Sequence, residues 1–220
     1  RDDMEALETD VERNRGELKA ILLTHSHGDH LADMSLLREA FDVPVWGSDY
    51  TAKSVPCQRV LTDGETLTLG RQTWTVLITP GHHPGHVCLF SEAGLVAGDM
   101  LAGIGTILIP PHTGDMNEYL HQLERLKALK PHLVFPSHGP VVAIPDRLID
   151  HYLSHRRARH ARVLEAVQNG ASQLEKIAKE AYADTPEAHP GLAVDQTLSH
   201  LRALAADGTV CEENGTWRTN

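Results

Sequence analysis

The sequence predicts an α/β fold with a helical tail, on three observations. Short, almost continuously apolar runs recur up to Ile144, at Leu18–Leu23 (broken by Lys19), Val87–Phe90, Leu95–Ala97 and Leu133–Phe135. Stripes with helical spacing lie between them, at Leu31, Met34, Leu37 and Phe41 and again at Leu120, Leu123, Leu126 and Leu129. From Pro145 the chain reads as helices closing on two short strands.

In order, Arg1 to Gly16 is charged and weakly periodic (Met4, Leu7, Val11) and reads as a surface helix. Leu18–Leu23 is a strand, apolar on both faces and therefore in a sheet covered on both sides. The stripe beginning at Leu31 is a helix that Asp42-Val43-Pro44 ends, and Val43–Trp46 is a short strand. Thr51–Pro56 reads as a loop. Strands follow near Gln58–Leu61, Glu65–Leu69 and Trp74–Thr79, with hairpin-like connections at Asp63-Gly64 and Gly70-Arg71. Val87–Phe90 and Leu95–Ala97 are strands around a turn at Glu92-Ala93-Gly94. A Gly- and Pro-rich loop covers Leu101 to Gly114, and Asp115 caps a helix with Glu118 placed as in a capping box. Pro131 ends that helix, and Leu133–Phe135 is a further strand. A long helix from Pro145 to Gly170, helices over Gln173–Tyr182 and Val194–Ala206, and strands around Thr209–Glu212 and Thr216–Arg218 make a winged-helix-like tail. A boundary near Ile144 divides the chain into residues 1–144 and 145–220.

At 220 residues the chain can bury one substantial core. A formal net charge of −10 argues against binding nucleic acid through global charge, though not against a local basic face. Cys57, Cys88 and Cys211 are scattered and make no C-x-x-C pair, so they are no disulfide framework and suit a reducing compartment, the cytoplasm. No apolar run is long enough to span a membrane, and no signal peptide is visible.

The chemistry concentrates in Thr24-His25-Ser26-His27-Gly28-Asp29-His30, on a strand-to-helix turn. Open α/β sheets place ligand sites at such strand ends. Three other strand ends carry metal-type ligands: His86 after Thr79-Pro80-Gly81-His82-His83-Pro84-Gly85, Asp99 after Gly98, and His138 within Pro136-Ser137-His138-Gly139-Pro140. The physical reading is two adjacent metal ions. His25, His27 and His86 reach one, Asp29, His30 and His138 the other, and Asp99 bridges both. A nitrogen and oxygen ligand set without thiolate fits two Zn²⁺ ions, with Mn²⁺ or Fe as alternatives. Water at such a site has its pKa lowered from 15.7 towards ~7, which points to hydrolysis.

In series, T-H-S-H-G-D-H, T-P-G-H-H-P-G-H, G-D and S-H-G-P resemble the ordered motifs of the metallo-β-lactamase-fold hydrolases, from about Leu18 onward. The resemblance implies an αββα sandwich with a dinuclear zinc site between its sheets. It implies the same ligand set, and a role for Asp29 in orienting the nucleophile. Ile109 to Leu120 and the helical tail are most similar to the β-lactamase-like protein 2 branch, which includes endoribonucleases acting on single-stranded RNA. The family usually has Gly-Gly where this chain has Ala32 and Asp33. Family members also begin with several strands and an Asp-rich turn, so the chain reads as an N-terminally truncated version of the sandwich.

The expected activity is therefore hydrolysis of a phosphodiester in single-stranded RNA. The alternatives are a glyoxalase II-like ester or thioester hydrolase, a β-lactamase less favoured because Cys or Ser usually replaces Asp99 there, and a non-catalytic truncated metal-binding domain. The expected partners are RNA or a small ester or thioester substrate, and a second copy of the chain in a homodimer, with no membrane. His112 lies on a loop able to approach the cleft. Arg156, Arg157 and Arg159, in the basic run His151 to Arg162, are candidate phosphate contacts against the plainer reading of a solvated helix face. His82 reads as supporting the site rather than ligating, His83 as solvent-facing, and Cys88 as core.

Overall fold

The computed structural model describes residues 2–13, 18–31 and 34–220. Gly16, Ala32, Asp33 and the side chains of Met4, Leu7 and Val11 lie outside the described residues. The first helix, α1, spans Asp2–Arg13. A small parallel sheet follows, built from β1 (Ile21–Leu22), β2 (Val45–Ser48) and β3 (Arg59–Leu61) in that order. Ile21 stands opposite Val45, and Trp46 opposite Arg59. The short helices α2 (Gly28–Leu31) and α3 (Met34–Ala40) link β1 to β2. The stretch expected as a loop after β2 begins instead with one helical turn, α4 (Asp49–Ala52), because Ser48 accepts a hydrogen bond from the Thr51 amide at 3.2 Å.

The larger sheet has the order β4 (Thr66–Leu69), β5 (Gln72–Ile78), β6 (Val87–Ser91), β7 (Gly94–Gly98) and β8 (Val134–Pro136). Its first four strands are antiparallel, and β8 joins β7 in parallel. Gly70-Arg71 turns the chain between β4 and β5 as expected. Asp63-Gly64 does not close a hairpin, since β3 and β4 belong to different sheets. It carries the chain across the sandwich, and the Gly64 amide bonds the Val76 carbonyl at 2.8 Å.

The two sheets face one another across a core that joins Leu22, Trp46 and Leu61 of the small sheet to Leu67, Val76, Val87 and Leu89 of the large one. The outer face of the small sheet is covered by Leu31 and Met34, which pack on Leu23 and Val45. On the outer face of the large sheet, Leu77, Cys88, Leu95 and Ala97 pack on α5 (Met116–Ala128) and the first half of α6 (Pro145–Gln168). Those four layers are the expected αββα sandwich. Each fully buried leucine here, such as Leu123 or Leu126 of α5, stabilises the fold by about 1.5–3 kcal/mol relative to exposure.

The second half of α6 packs instead with α7 (Leu174–Ala181), α8 (Pro190–Ala206) and the hairpin of β9 (Val210–Glu213) and β10 (Thr216–Thr219). The tail is thus three helices and a two-stranded hairpin with its own apolar cluster around Val163, Ile177, Leu201 and Trp217. None of the helices among the described residues is long and apolar enough to cross a membrane.

Candidate metal centre

The heptapeptide leaves β1 and is tied to the large sheet at once, because the Val87 amide bonds the Thr24 carbonyl at 2.8 Å. His25 is buried, with Nδ1 3.2 Å from Thr24 Oγ1. Its Nε2 lies 3.0 Å from Nδ1 of His27. That same His27 atom lies 2.9 Å from Nε2 of His82, whose Nδ1 donates to the Leu108 carbonyl at 2.7 Å. Metal-type ligand atoms of His25, His27 and His82 thus converge within 4.8 Å of one another.

A second group forms beside it. Ligand atoms of Asp29, His30 and His138 also lie within 4.8 Å of one another. Asp99 stands between the groups. Its Oδ1 is 3.3 Å from His30 Nε2 and 3.4 Å from His138 Nε2, while its Oδ2 is 3.5 Å from His82 Nε2. Asp29 Oδ2 is 3.4 Å from His30 and 3.5 Å from His138. Asp29 keeps 61% of its side chain exposed, and with half-exposed His138 it marks the open side of the centre.

A divalent cation fits these residues. With Nδ1–H on Leu108, His82 turns an Nε2 lone pair toward His27, and nitrogen lone pairs 2.9–3.0 Å apart repel unless a proton or cation stands near. Donor atoms of a tetrahedral zinc site, with bonds of about 2.1 Å, lie about 3.4 Å apart, close to the spacings found here. His30 Nε2 and Asp99 Oδ1 are buried without a hydrogen-bond partner. Burial, and then the neighbouring rings, hold His25 far below its usual pKa, and burial also lowers His27 and His82. Burial would lower His30 too, but Asp99 and Asp29 outweigh it and raise this group. Asp99 is lowered: burial opposes its charge, and His30, His82 and His138 restore it.

His86 does not join the cluster. Its Nδ1 is 2.8 Å from Thr79 Oγ1, and its Nε2 accepts from the Asp99 amide at 2.9 Å, so both ring nitrogens are engaged. Burial holds it neutral, with its pKa lowered to about 3. Its place is to set the turn that aims Asp99, and it presses so close to Gly98 (φ +50°) that a Cβ there would meet Nε2 at 2.5 Å. The irregular register of β7 against β8 between Val96 and Gly98 re-aims the chain at the same point. His82, four residues earlier, takes the position expected of His86. Gly81 brings it there: at φ +135°, a Cβ on Gly81 would meet the Tyr119 main chain at 2.4 Å. His83, expected to face solvent, is buried, with Nε2 3.2 Å from Ser26 Oγ, and burial lowers it to about 4. Cys88 is core; its thiol bonds the Ala97 carbonyl at 3.4 Å, and burial pushes it up to about 12.

Two of the three candidate phosphate contacts are interior. Arg156 is 2% exposed and Arg159 4%. Arg156 bonds Gln196, Thr106 and the Ile107 carbonyl. Arg159 bonds Asp184, Thr185 and the Ala181 carbonyl and lies over the Tyr182 ring. Neither guanidinium reaches solvent to meet a phosphate. Arg157 is exposed and paired with Glu124 at 2.6 Å. His112 is exposed, in a small cleft with Asp115, Ser199 and Arg202 that none of the cluster histidines lines.

The family model described as "Metallo-beta-lactamase superfamily" matches residues 1–138. Among curated relatives, a "Beta-lactamase-like protein 2 homolog" of Drosophila melanogaster is 30% identical over 215 residues, 90% of this chain and 72% of that protein. A "Hydroxyacylglutathione hydrolase" of Bdellovibrio bacteriovorus is 33% identical over 129 residues, 57% of this chain and 51% of that protein. A solved structure, a metallo-beta-lactamase family protein of Thermus thermophilus, superposes with a TM-score of 0.77. That match has 22% identity and covers 99% of this chain and 86% of that one, and it shows the shared fold.

Proposed function

From the premise that the chain belongs to the metallo-beta-lactamase superfamily of metal-dependent hydrolases, we propose that it holds two divalent ions, zinc by preference, and hydrolyses phosphodiester bonds of single-stranded RNA in the cytoplasm. The observation that carries the dinuclear reading is Asp99, which turns one carboxylate oxygen toward His30 and His138 and the other toward His82. His25, His27 and His82 would hold the first ion, and Asp29, His30 and His138 the second. Bound divalent ions supply hydroxide at neutral pH and a Lewis acid for the substrate oxygen.

The chain's own residues do the rest. Leu108 O holds the His82 proton on Nδ1 and so keeps Nε2 free to ligate. His86 fixes the Asp99 main chain. Asp29, whose side chain is 61% exposed on the open side, would orient an attacking water by accepting its hydrogen bond.

The RNA substrate is what the resemblance to the β-lactamase-like protein 2 branch implies, and the relative that carries that branch name matches 90% of the chain, whereas the hydroxyacylglutathione hydrolase matches 57%. A glyoxalase II-like thioesterase is the second reading. It is favoured by that 33% identity and by the burial of Arg156 and Arg159, which leaves fewer cations to meet a phosphate chain. Metal analysis is expected to find about two ions per chain. Incubation with unstructured RNA should give cleavage that chelation abolishes, and that Asp29→Ala and His27→Ala each reduce by at least about 100-fold, the loss general base or ligand removal brings. Turnover of S-lactoylglutathione with intact RNA would replace the nuclease reading by the thioesterase one.

A further inference from the structure

We infer that Arg156, with Gln196 beside it, is a positioning residue for the metal centre: it holds the loop whose Leu108 carbonyl fixes His82. The inference rests on the reading of His82 as a metal ligand.

The contacts run in sequence. His82 Nδ1 donates to Leu108 O at 2.7 Å. The direction of that carbonyl is set by the residues on either side, since the Leu108 side chain is itself exposed. On one side Arg156 Nη2 bonds the Ile107 carbonyl, and bonds Thr106 Oγ1 at 3.0 Å. On the other, Gln196 accepts from the Ile109 amide at 3.3 Å and donates to its carbonyl at 2.8 Å, with Ser199 Oγ on the same carbonyl at 2.7 Å. Arg156 Nη1 then joins the two clamps, donating to Gln196 Oε1 at 2.9 Å.

A second route reaches the same histidine. The Arg156 guanidinium lies over the Tyr119 ring, 5.7 Å from its centre. Tyr119 donates to the Met100 carbonyl at 2.8 Å, and its main chain packs on Gly81, the residue before His82. Thus a side chain of α6 and one of α8, far along the sequence, grip the metal centre from behind.

The chemistry of the residue agrees with that role. Burying a cation costs free energy, and a fully apolar replacement of a buried charged group together with its partners is often neutral or stabilising, so net stability is not what recommends an arginine here. What arginine adds is a planar set of donors able to hold several oxygens in fixed directions. Here those oxygens are two on the loop and one on Gln196. Removing an outer partner of a ligand histidine typically weakens metal binding by about 10–100-fold.

The test measures zinc affinity of the intact chain by chelator competition, and the absorption spectrum of the chain loaded with Co²⁺. Arg156→Met and Gln196→Ala are each expected to weaken one of the two ions by about 10–100-fold and to alter the Co²⁺ spectrum, with Arg156→Lys between them and the parent. Arg159→Met removes an equally buried arginine on the same helix, bonded away from this loop. It should lower the melting temperature and leave affinity and spectrum unchanged. Parent-like affinity and spectrum in folded Arg156→Met and Gln196→Ala would overturn the inference, as would equal loosening by Arg159→Met. Should Arg156→Met not fold, Arg156→Lys and Gln196→Ala are judged by the same criteria. His82→Ala separates the two levels: if it keeps both ions at parent affinity, the ligand assignment fails first.

Discussion

Asp99 and the histidines around it divide into those that face the centre and those that hold others in place, and His82 and His86 show the division. His82→Ala is expected to reduce the content under saturating zinc from about two ions to about one, because it removes one of three nitrogens at the first position. His86→Ala should keep both ions at saturation and lose stability, since the Asp99 amide is then buried with no acceptor, at a cost of about 1–3 kcal/mol. Metal content and melting temperature of the two variants decide it, and loss of an ion from His86→Ala alone would reverse the roles. The residue types and the motif were legible in the sequence, which carries both histidines in one eight-residue run. Their roles were not, because they depend on which ring the left-handed Gly81 swings toward Leu108, a matter of main-chain geometry and of a carbonyl twenty-six residues away. Arg156 and Arg159 were misplaced for a related reason: a basic run on a helix looks solvated until its acceptors are known, and theirs are distant main-chain carbonyls.

At the scale of elements, local patterns predicted the strands and helices well, and failed where a neighbour in space competed. Asp115 caps α5, accepting from the Glu118 amide at 3.0 Å, as the spacing predicted. The other half of the expected capping box is taken by a tertiary contact, for the Asp115 amide donates to Gly81 O at 2.7 Å. Asp115→Ala should therefore cost about 0.5–2 kcal/mol, or a few degrees of melting temperature, with Asp115→Asn retaining most of it. Glu118→Ala should change little; a loss equal to that of Asp115→Ala in thermal melts would show a reciprocal box after all. The same competition explains Asp63-Gly64. A turn dipeptide between two strand-like runs signals a hairpin, yet here the Asp63 carboxylate bonds the Ile78 amide and Arg125 and directs the chain to the second sheet. Sequence spacing reports that the chain turns, while the choice of sheet is made by partners far along it.

The whole molecule is joined by α6, whose first half packs on the large sheet and whose second half builds the tail. A fragment ending at Ile144 would leave Met116, Leu123 and Leu126 without Ile149, Tyr152 and Leu153, and is expected to lack a cooperative thermal transition. Burial inside the tail is also expected to give the molecule an acid limit. His200 of α8 is fully buried, with Nδ1 3.2 Å from His160 Nδ1 and Nε2 without a hydrogen-bond partner. Burial, followed by Arg156, His160, Arg159 and His155 on α6, holds its pKa well below 6.5. The folded state therefore keeps His200 neutral where the unfolded chain binds a proton. Stability from this group is complete above the unfolded pKa of about 6.5 and falls as pH drops below it, by up to about 1.4 kcal/mol per pH unit for one proton. His200→Leu removes the proton site while keeping a side chain of comparable bulk at a buried position. Melting temperatures of parent and variant, both saturated with zinc, should run parallel above about pH 7 and converge or cross as pH falls from about 6.5 to about 5, the variant declining less. Curves that stay parallel through that range would show that the proton is taken up elsewhere and that His200 does not set the acid limit.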